Sequence, residues 1–248
     1  MTLELQSENK ILAALPREEQ SENKILAALP REEFEPLNEK LKPVKLELGT
    51  TLYRPEQKID YVYFVTRGVV SLLAALENGA TVEAGVIGPE GMAGIAAVLG
   101  ADSTPNQALV QGEGHALRMS TADIRIECRN GGKLRDLLLR YTHTLFTQVA
   151  QTAACNRLHT IEQRLARWLL LTQDRVASPE FTLTQDFLSR MLGVRRAGVS
   201  VAANTLKQAG LIDYRRGTMV VLDRSGLEQY SCECYRIVRE EYDRYLTP

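Results

Sequence analysis

The stretch Thr184-Gln-Asp-Phe-Leu-Ser-Arg-Met-Leu-Gly-Val-Arg-Arg-Ala-Gly-Val199 reads as two helices joined by a tight turn. Thr184 is an N-cap residue type, and Phe187, Leu188, Met191 and Leu192 recur at helical spacing, which marks one buried face. Gly193 ends that helix, since glycine takes a left-handed cap conformation without a Cβ penalty. A second helix follows, with Val199, Ala202, Ala203, Leu206 and Ala209 on its inner face and Gly210 as its stop. The turn between them is about three to four residues, the length that a helix-turn-helix needs. Beyond it, Leu211-Ile-Asp-Tyr214 and Met219-Val-Val-Leu222 are β-type runs around Arg215-Arg-Gly-Thr218, a hairpin with a basic tip. The expected unit is a winged helix-turn-helix.

The outward face of the second helix carries Arg195, Arg196, Ala197, Ser200, Val201, Asn204 and Lys207, and the hairpin tip adds Arg215 and Arg216. An arginine fork pairs bidentately with guanine, small apolar groups touch thymine methyls, and lysine neutralises phosphate. Between Thr184 and Arg216 six Lys or Arg stand against two Asp, a local balance of +4 in a chain whose total is −1. Positive charge is concentrated where a polyanion would dock, which points to double-stranded DNA. The alternative is a winged helix that contacts a protein.

The rest of the composition is ordinary: 248 residues, 44% hydrophobic and 25% charged, enough for about two domains. No apolar run reaches the roughly 18 residues that span a bilayer, and the N-terminus lacks a basic segment followed by an apolar core. No membrane partner and a cytoplasmic location are expected. Cys128, Cys155, Cys232 and Cys234 are too few in so long a chain for a disulfide framework, so reduced thiols are expected. Gln6 to Glu19 recurs unchanged as Gln20 to Glu33. Two short copies make no solenoid, and the first is expected to be a spare, loosely attached helix.

From Val44 to about Met119 the pattern is β, in short runs such as Tyr61-Val-Tyr-Phe-Val65, Val69-Val-Ser-Leu-Leu73, Ala108-Leu-Val-Gln111 and His115-Ala-Leu-Arg-Met119. Arg67-Gly68, Asn78-Gly79 and Gly112-Glu-Gly114 look like the turns between runs, which implies a barrel or jelly roll. The glycine-rich segment Gly88 to Gly100 interrupts this pattern and is the expected seat of a ligand. From Lys133 to about His159 a helix is expected, roughly 40 Å long. Leu134, Leu138, Tyr141, Leu145, Gln148 and Thr152, followed by Cys155, fall on a seven-residue spacing along it. That seam is read as a parallel dimer interface, against the alternative of a core helix within one subunit. Self-pairing would set two winged helices side by side over a two-fold symmetric operator.

A glycine-punctuated jelly roll, a long helix and a C-terminal winged helix, in that order, resemble the Crp/Fnr superfamily of bacterial transcription regulators. The strongest motif is Leu183 to Val199 continuing through Ala209-Gly-Leu-Ile212. The resemblance implies an α+β fold with segment 1–33 as the duplicated N-terminal helical part, 34–130 as a cyclic-nucleotide-binding-like effector domain, 131–159 as the dimerisation helix and 160–248 as the winged helix domain. By position, Thr184, Gln185, Arg196, Ala197 and Val201 inherit the DNA contacts, although Ala197 and Val201 replace charged readers. The effector pocket would be Gly88, Glu90, Gly91, Gly94, Ile95, Asn106, Gln107 and Ala108. Where family members carry Gly-Glu and Arg-Ser or Arg-Thr for the ribose and cyclic phosphate, this chain offers Gly94-Ile95 and Asn106-Gln107-Ala108. A buried phosphate would then lack its charge-assisted partner, which argues against cyclic AMP and leaves the effector unknown.

No cofactor and no metal are expected. No cysteine precedes Cys128, as an N-terminal iron–sulfur cluster would require. Ser225-x-x-Glu228 reads as a capping box opening one helix that runs on through Glu241. On one continuous helix, Cys232 and Cys234 point to opposite sides. Cys155 is expected as a buried small apolar residue, and His115, His143 and His159 show no ligand spacing with one another or with the cysteines. No nucleophile elbow, P-loop or metal-ligand helix appears, so the chain is not expected to be an enzyme. RNA polymerase is a candidate partner, although no motif identifies a surface for it.

Overall fold

The computed structural model describes residues 22–176, 178, 180–215 and 217–246. Residues 6–19, the first copy of the repeat, residues 20–21 of the second, and Arg216, expected at the wing tip, lie outside the described residues.

The described part of the second copy, residues 22–33, is docked on the sheet domain. Its helix α1 (Lys24–Ala27) is capped by Asn23, whose side chain accepts from the Leu26 amide while its Nδ2 donates to the Val65 and Gly91 carbonyls at 2.8 and 2.9 Å. Ile25 and Leu26 are buried beneath it, and α2 (Arg31–Asn38) follows.

Six strands form one antiparallel sheet: β1 (Lys42–Leu46), β2 (Thr51–Tyr53), β3 (Tyr61–Ala75), β4 (Thr81–Ile87), β5 (Met92–Ala93) and β6 (Asn106–Ser120). The order is β1-β6-β3-β4, with β2 on β6 and β5 on β3. The short runs expected on either side of Gly68 and of Gly112–Gly114 are each one 15-residue strand. Asn78-Gly79 does form a turn, closed by Gly79 N–H to the Leu76 carbonyl at 2.9 Å. The other glycines are crossing points where β3 and β6 touch. A Cβ on Gly114 would sit 2.0 Å from the Arg67 carbonyl oxygen, and one on Gly68 2.6 Å from that of Gly112. Only backbone without a side chain fits, and the pairing register shifts there so that the strands can bend. Gly114→Ala is therefore expected to cost about 3 kcal/mol, the upper end of the overpacking range, read as a lowered urea midpoint.

After the short α3 (Ile95–Val98) and α4 (Thr121–Arg129), the long helix α5 runs from Lys133 to Leu158. His159 breaks it with an extended backbone, and α6 (Ile161–Val176) leads into the C-terminal half. There α7 (Gln185–Leu192), α8 (Arg196–Gln208), β8 (Ile212–Arg215) and β9 (Thr218–Val221) form the expected winged helix-turn-helix. A strand absent from the expectation, β7 (Glu180–Thr182), pairs with β9 and makes the wing three-stranded. Its signal was the alternation that buries Phe181 and Leu183.

Two expectations about helices fail. α9 (Arg224–Tyr230) ends before Ser231, and a new helix, α10 (Glu233–Leu246), starts after Cys232. The cap of α9 is Asp223, which accepts from Gly226 N–H at 2.9 Å, in place of the Ser225 capping box. The expected dimer seam also points the wrong way: Leu134, Leu138, Tyr141, Leu145, Gln148 and Thr152 are all buried inside their own chain. Gln148 illustrates why, pairing with the Val86 backbone at 3.0 Å in both directions and donating to Tyr242 of α10 at 2.8 Å. The seven-residue pattern is the core face of α5 against the sheet and α10. The face left outside carries Leu139, Phe146 and Leu158, exposed at 47%, 71% and 75%.

Candidate nucleic-acid interface and effector region

The two helices of the motif are fixed by local chemistry. Thr184 Oγ1 accepts from Phe187 N–H at 3.1 Å, which satisfies one orphan donor of α7 and leaves the hydroxyl proton free to donate outward. Gly193 closes α7 in the left-handed region at φ +61°, and the turn Gly193-Val-Arg195 starts α8. Leu188, Met191 and Leu192 of α7 and Val199, Ala202, Ala203 and Leu206 of α8 are all buried where the two helices meet, and Met191 also reaches Ser71 of β3. Ala209, expected on that inner face, is instead the exposed C-cap.

Arg195, Arg196, Ala197, Val201, Asn204 and Lys207 are exposed on the opposite face, with Ser200 half-buried among them. Gln185 joins them across the motif: Ser200 Oγ donates to its Oε1 at 2.9 Å and Arg196 Nε lies 3.5 Å from the same oxygen. Gln185 thus orients Arg196 without neutralising it. Lys207 and Arg215 differ, since Asp213 holds them at 2.6 and 2.8 Å. The Lys207 hydrogen bond, with Arg215 nearby, keeps the Asp213 carboxyl below its usual range. Among the described residues Arg195 and Arg196 have no carboxylate within ion-pair distance. The uncommitted cations therefore stand at the N-terminus of α8, where backbone N–H groups also favour an anion.

The residues expected to form an effector pocket are divided by the structure. Glu90 is buried and ion-paired with Arg175 of α6 at 2.7 Å, while also accepting from Gly88 N–H at 3.1 Å. A Cβ on Gly88 would meet Arg175, and one on Gly91 the Tyr141 ring, so these glycines admit protein side chains where a ligand was expected. The cleft that includes Glu90, about 280 Å³, is lined by Pro89, Asp174, Arg175, Arg239 and Tyr242 among others, and not by Gly94, Ile95 or residues 106–108. Gly94 caps α3, beside Ile95. Gln107 spends its amide on Thr51 Oγ1 at 3.0 Å, and Ala108 is fully buried. No cation occupies Asn106–Ala108, the stretch aligned with the cyclic phosphate.

A polar cluster missed in the sequence joins the two halves. Ser71 of β3 and Glu83 of β4 contact each other at 2.7 Å, and Trp168 Nε1 of α6 donates to Glu83 Oε1 at 2.9 Å. Gln111 of β6 touches Ser71 through Oε1 and donates to Thr172 of α6 at 3.2 Å. Ser71 has one proton for two oxygen acceptors, with the Met191 sulfur as a third neighbour, so a protonated Glu83 completes the network. Burial pushes the Glu83 carboxyl up to about 7, against the opposing hydrogen bonds and the Arg167 charge. Between the unfolded carboxylate range near 4.5 and about 7, the folded chain holds a proton that the unfolded chain has lost. Stability contributed by this group is full below that window, falls as pH rises through it, and is gone above, a change on the order of 3 kcal/mol. Glu83→Gln keeps both hydrogen bonds and is expected to flatten this dependence in thermal unfolding across pH about 5 to 8.5. An unchanged slope would locate the titrating group elsewhere.

Cys155 is buried as expected, and one expectation about histidine fails, because His159 meets a cysteine. Cys155 is buried against Cys232 with the sulfurs 3.5 Å apart, Cys234 lies 3.7 Å from His159 Nδ1, and His143 pairs with Glu241 at 2.8 Å. The break at Ser231–Cys232 turns both thiols of Cys-x-Cys to the same side. All four cysteines are free thiols.

Two family models match the chain: the cyclic nucleotide-binding domain over residues 43–130 and the Crp-like helix-turn-helix domain over residues 163–230. None of the curated proteins matches it in sequence. Among solved structures it is similar to FixK2 from Bradyrhizobium japonicum, at 17% identity and a TM-score of 0.66, covering 77% of this chain and 98% of that one. A transcriptional regulator of the CRP/FNR family from Thermus thermophilus gives 19% identity, a TM-score of 0.62 and coverage of 77% and 98%. The c-di-GMP-responsive global regulator CLP of Xanthomonas campestris gives 16%, 0.60, and coverage of 78% and 100%. At these identities the likeness establishes the fold. No described helix is long and apolar enough to cross a membrane.

Proposed function

We propose, for a chain that belongs to the Crp/Fnr superfamily of transcription regulators, a homodimer that reads a pseudo-palindromic DNA operator with one α8 per half-site. The observation that carries this reading is the exposed face of α8, where Arg195 and Arg196 stand without carboxylate partners among the described residues, beside Ala197, Ser200, Val201 and Asn204. Arg196 is the guanine reader, Ala197 and Val201 meet thymine methyls, and Thr184, Gln185 and Arg195 hold phosphates. Lys207 and Arg215 join the phosphate contacts only by releasing Asp213.

The dimer is built on the outer face of α5. Leu139, Thr142, Phe146, Val149 and Ala153 form a second seven-residue series offset from the buried one, and Phe146 is its most exposed large apolar side chain. The break at His159 is the hinge, and the effector domain acts through it by shifting the population between DNA-competent and incompetent dimers. The effector differs from cyclic AMP, because residues 106–108 offer no cation and Glu90 is committed to Arg175. Such a protein works in the cytoplasm, beside RNA polymerase, and performs no catalysis.

The test is selection of bound duplexes from a random pool by the purified protein, at two salt concentrations. Enrichment of a two-fold symmetric site is expected, with affinity falling steeply with salt as phosphate-bound counterions are released. Weak salt dependence without enrichment would instead favour a winged helix that contacts a protein.

A further inference from the structure

Four metal-ligating side chains that the proposed function does not use converge where the long helix ends. Cys155 and His159 lie four residues apart at the end of α5, and Cys232 and Cys234 flank the start of α10. One ligand atom from each lies within 4.8 Å of all the others. A tetrahedral zinc with Zn–S of about 2.3 Å and Zn–N of about 2.0 Å sets ligand-to-ligand edges of about 3.5–3.8 Å. The Cys155–Cys232 and Cys234–His159 edges, 3.5 and 3.7 Å, already match, and the widest needs to close by about an ångström.

The surroundings suit a metal as well as the ligands do. His159 presents Nδ1 to the thiols while its Nε2 lies 3.3 Å from Glu233, the carboxylate that orients a ligating imidazole. Three thiolates and an imidazole around a divalent ion leave one negative charge. Arg164 and Arg167 are both buried within electrostatic reach of Cys155; one nitrogen of Arg164 donates to the Leu192 carbonyl and one of Arg167 to Thr152, and among the described residues each has an Nε with no hydrogen-bond partner. Neither has a carboxylate within ion-pair distance among the described residues, although the Arg167 charge also reaches Glu83, and a buried guanidinium without a close anion is costly. Cys155, Cys232 and Cys234 are at most 4% exposed, so the set is closed, with four protein ligands and no open position. Thiolate-rich tetrahedral sites select zinc over the oxygen-seeking cations, and closed ones are structural.

We propose that Cys155, His159, Cys232 and Cys234 form a structural zinc site that ties the last turn of the long helix to the start of the C-terminal helix. The site lies beside the helix break at His159, so zinc fixes the start of α10 against the end of α5. It stands on its own geometry, independent of what α8 binds.

The test is elemental analysis of the full-length protein purified under reducing conditions, together with cobalt exchange. About one zinc per chain is expected, and cobalt should give the intense visible bands of a tetrahedral thiolate site. Cys234→Ala and His159→Ala should each lose most of the metal, while Cys128→Ala, outside the cluster, keeps it. The wild-type zinc content and cobalt spectrum decide the matter even where a ligand variant fails to fold. Metal-free protein whose cysteines all alkylate, a Cys155–Cys232 disulfide without metal, or zinc that follows Cys128 would each overturn the proposal.

Discussion

Replacing Arg196 with alanine is expected to weaken binding to the selected operator by about 1–3 kcal/mol per half-site, and to relax the preference at one base pair in each. Two half-sites make this roughly a 30-fold to 10⁴-fold loss for the dimer. The size follows from the state of the side chain before binding. Among the described residues the Arg196 side chain has only the Gln185 amide as a partner, so it meets a guanine edge without breaking an ion pair. Lys207→Ala is the contrasting case: Lys207 must leave Asp213 at 2.6 Å to reach a phosphate, so its loss is smaller, uniform across sequences, and lowers the salt slope by about one. Fluorescence anisotropy on the operator, and on duplexes altered at single positions, separates the two. Unchanged specific affinity in Arg196→Ala would mean that α8 enters the groove in another register.

The winged helix was legible because its signals are local. A capping threonine, a helical apolar period and a glycine at each helix end lie within a few residues of the groups they organise, and Thr184, Gly193 and Gly210 all stand at helix ends. What failed depended on distant partners. Gly68 and Gly114 look like turn glycines until the opposite strand is known, and then each is where another backbone passes. Glu90 belongs to a plausible ligand loop, yet Arg175, 85 residues away, claims it. Cys232 and Cys234 fall on opposite sides only if one helix crosses Ser231, and the helix ends there. The Cys155–His159 spacing, one helical turn, was a usable ligand signal that needed the partner helix to gain meaning. The exposed side chains on α8 needed no such partner, since a DNA-reading face is defined by what does not pack.

The long helix holds the second large expectation, because two apolar series share it and only one can face another subunit. Phe146→Glu is expected to dissociate the dimer. The substitution removes a phenyl ring that is 71% exposed in the single chain, and it sets two carboxylates against each other across the two-fold axis. Losing about 1.5–3 kcal/mol of apolar burial from each of two copies weakens self-association by roughly 10²-fold to 10⁴-fold, before repulsion is counted. Sedimentation equilibrium should then find monomer where the wild type is dimeric, and operator binding should fall to that of a single half-site. Leu145→Ala supplies the opposite signature. Leu145 is buried against the chain's own sheet, its methyl groups near Gly85, so truncation should lower folding stability by about 2–5 kcal/mol and leave the dimer constant unchanged. If Phe146→Glu remains dimeric while Leu145→Ala dissociates, the buried series separates from its own sheet to pair with its twin, and the outer face of α5 is free in the regulator.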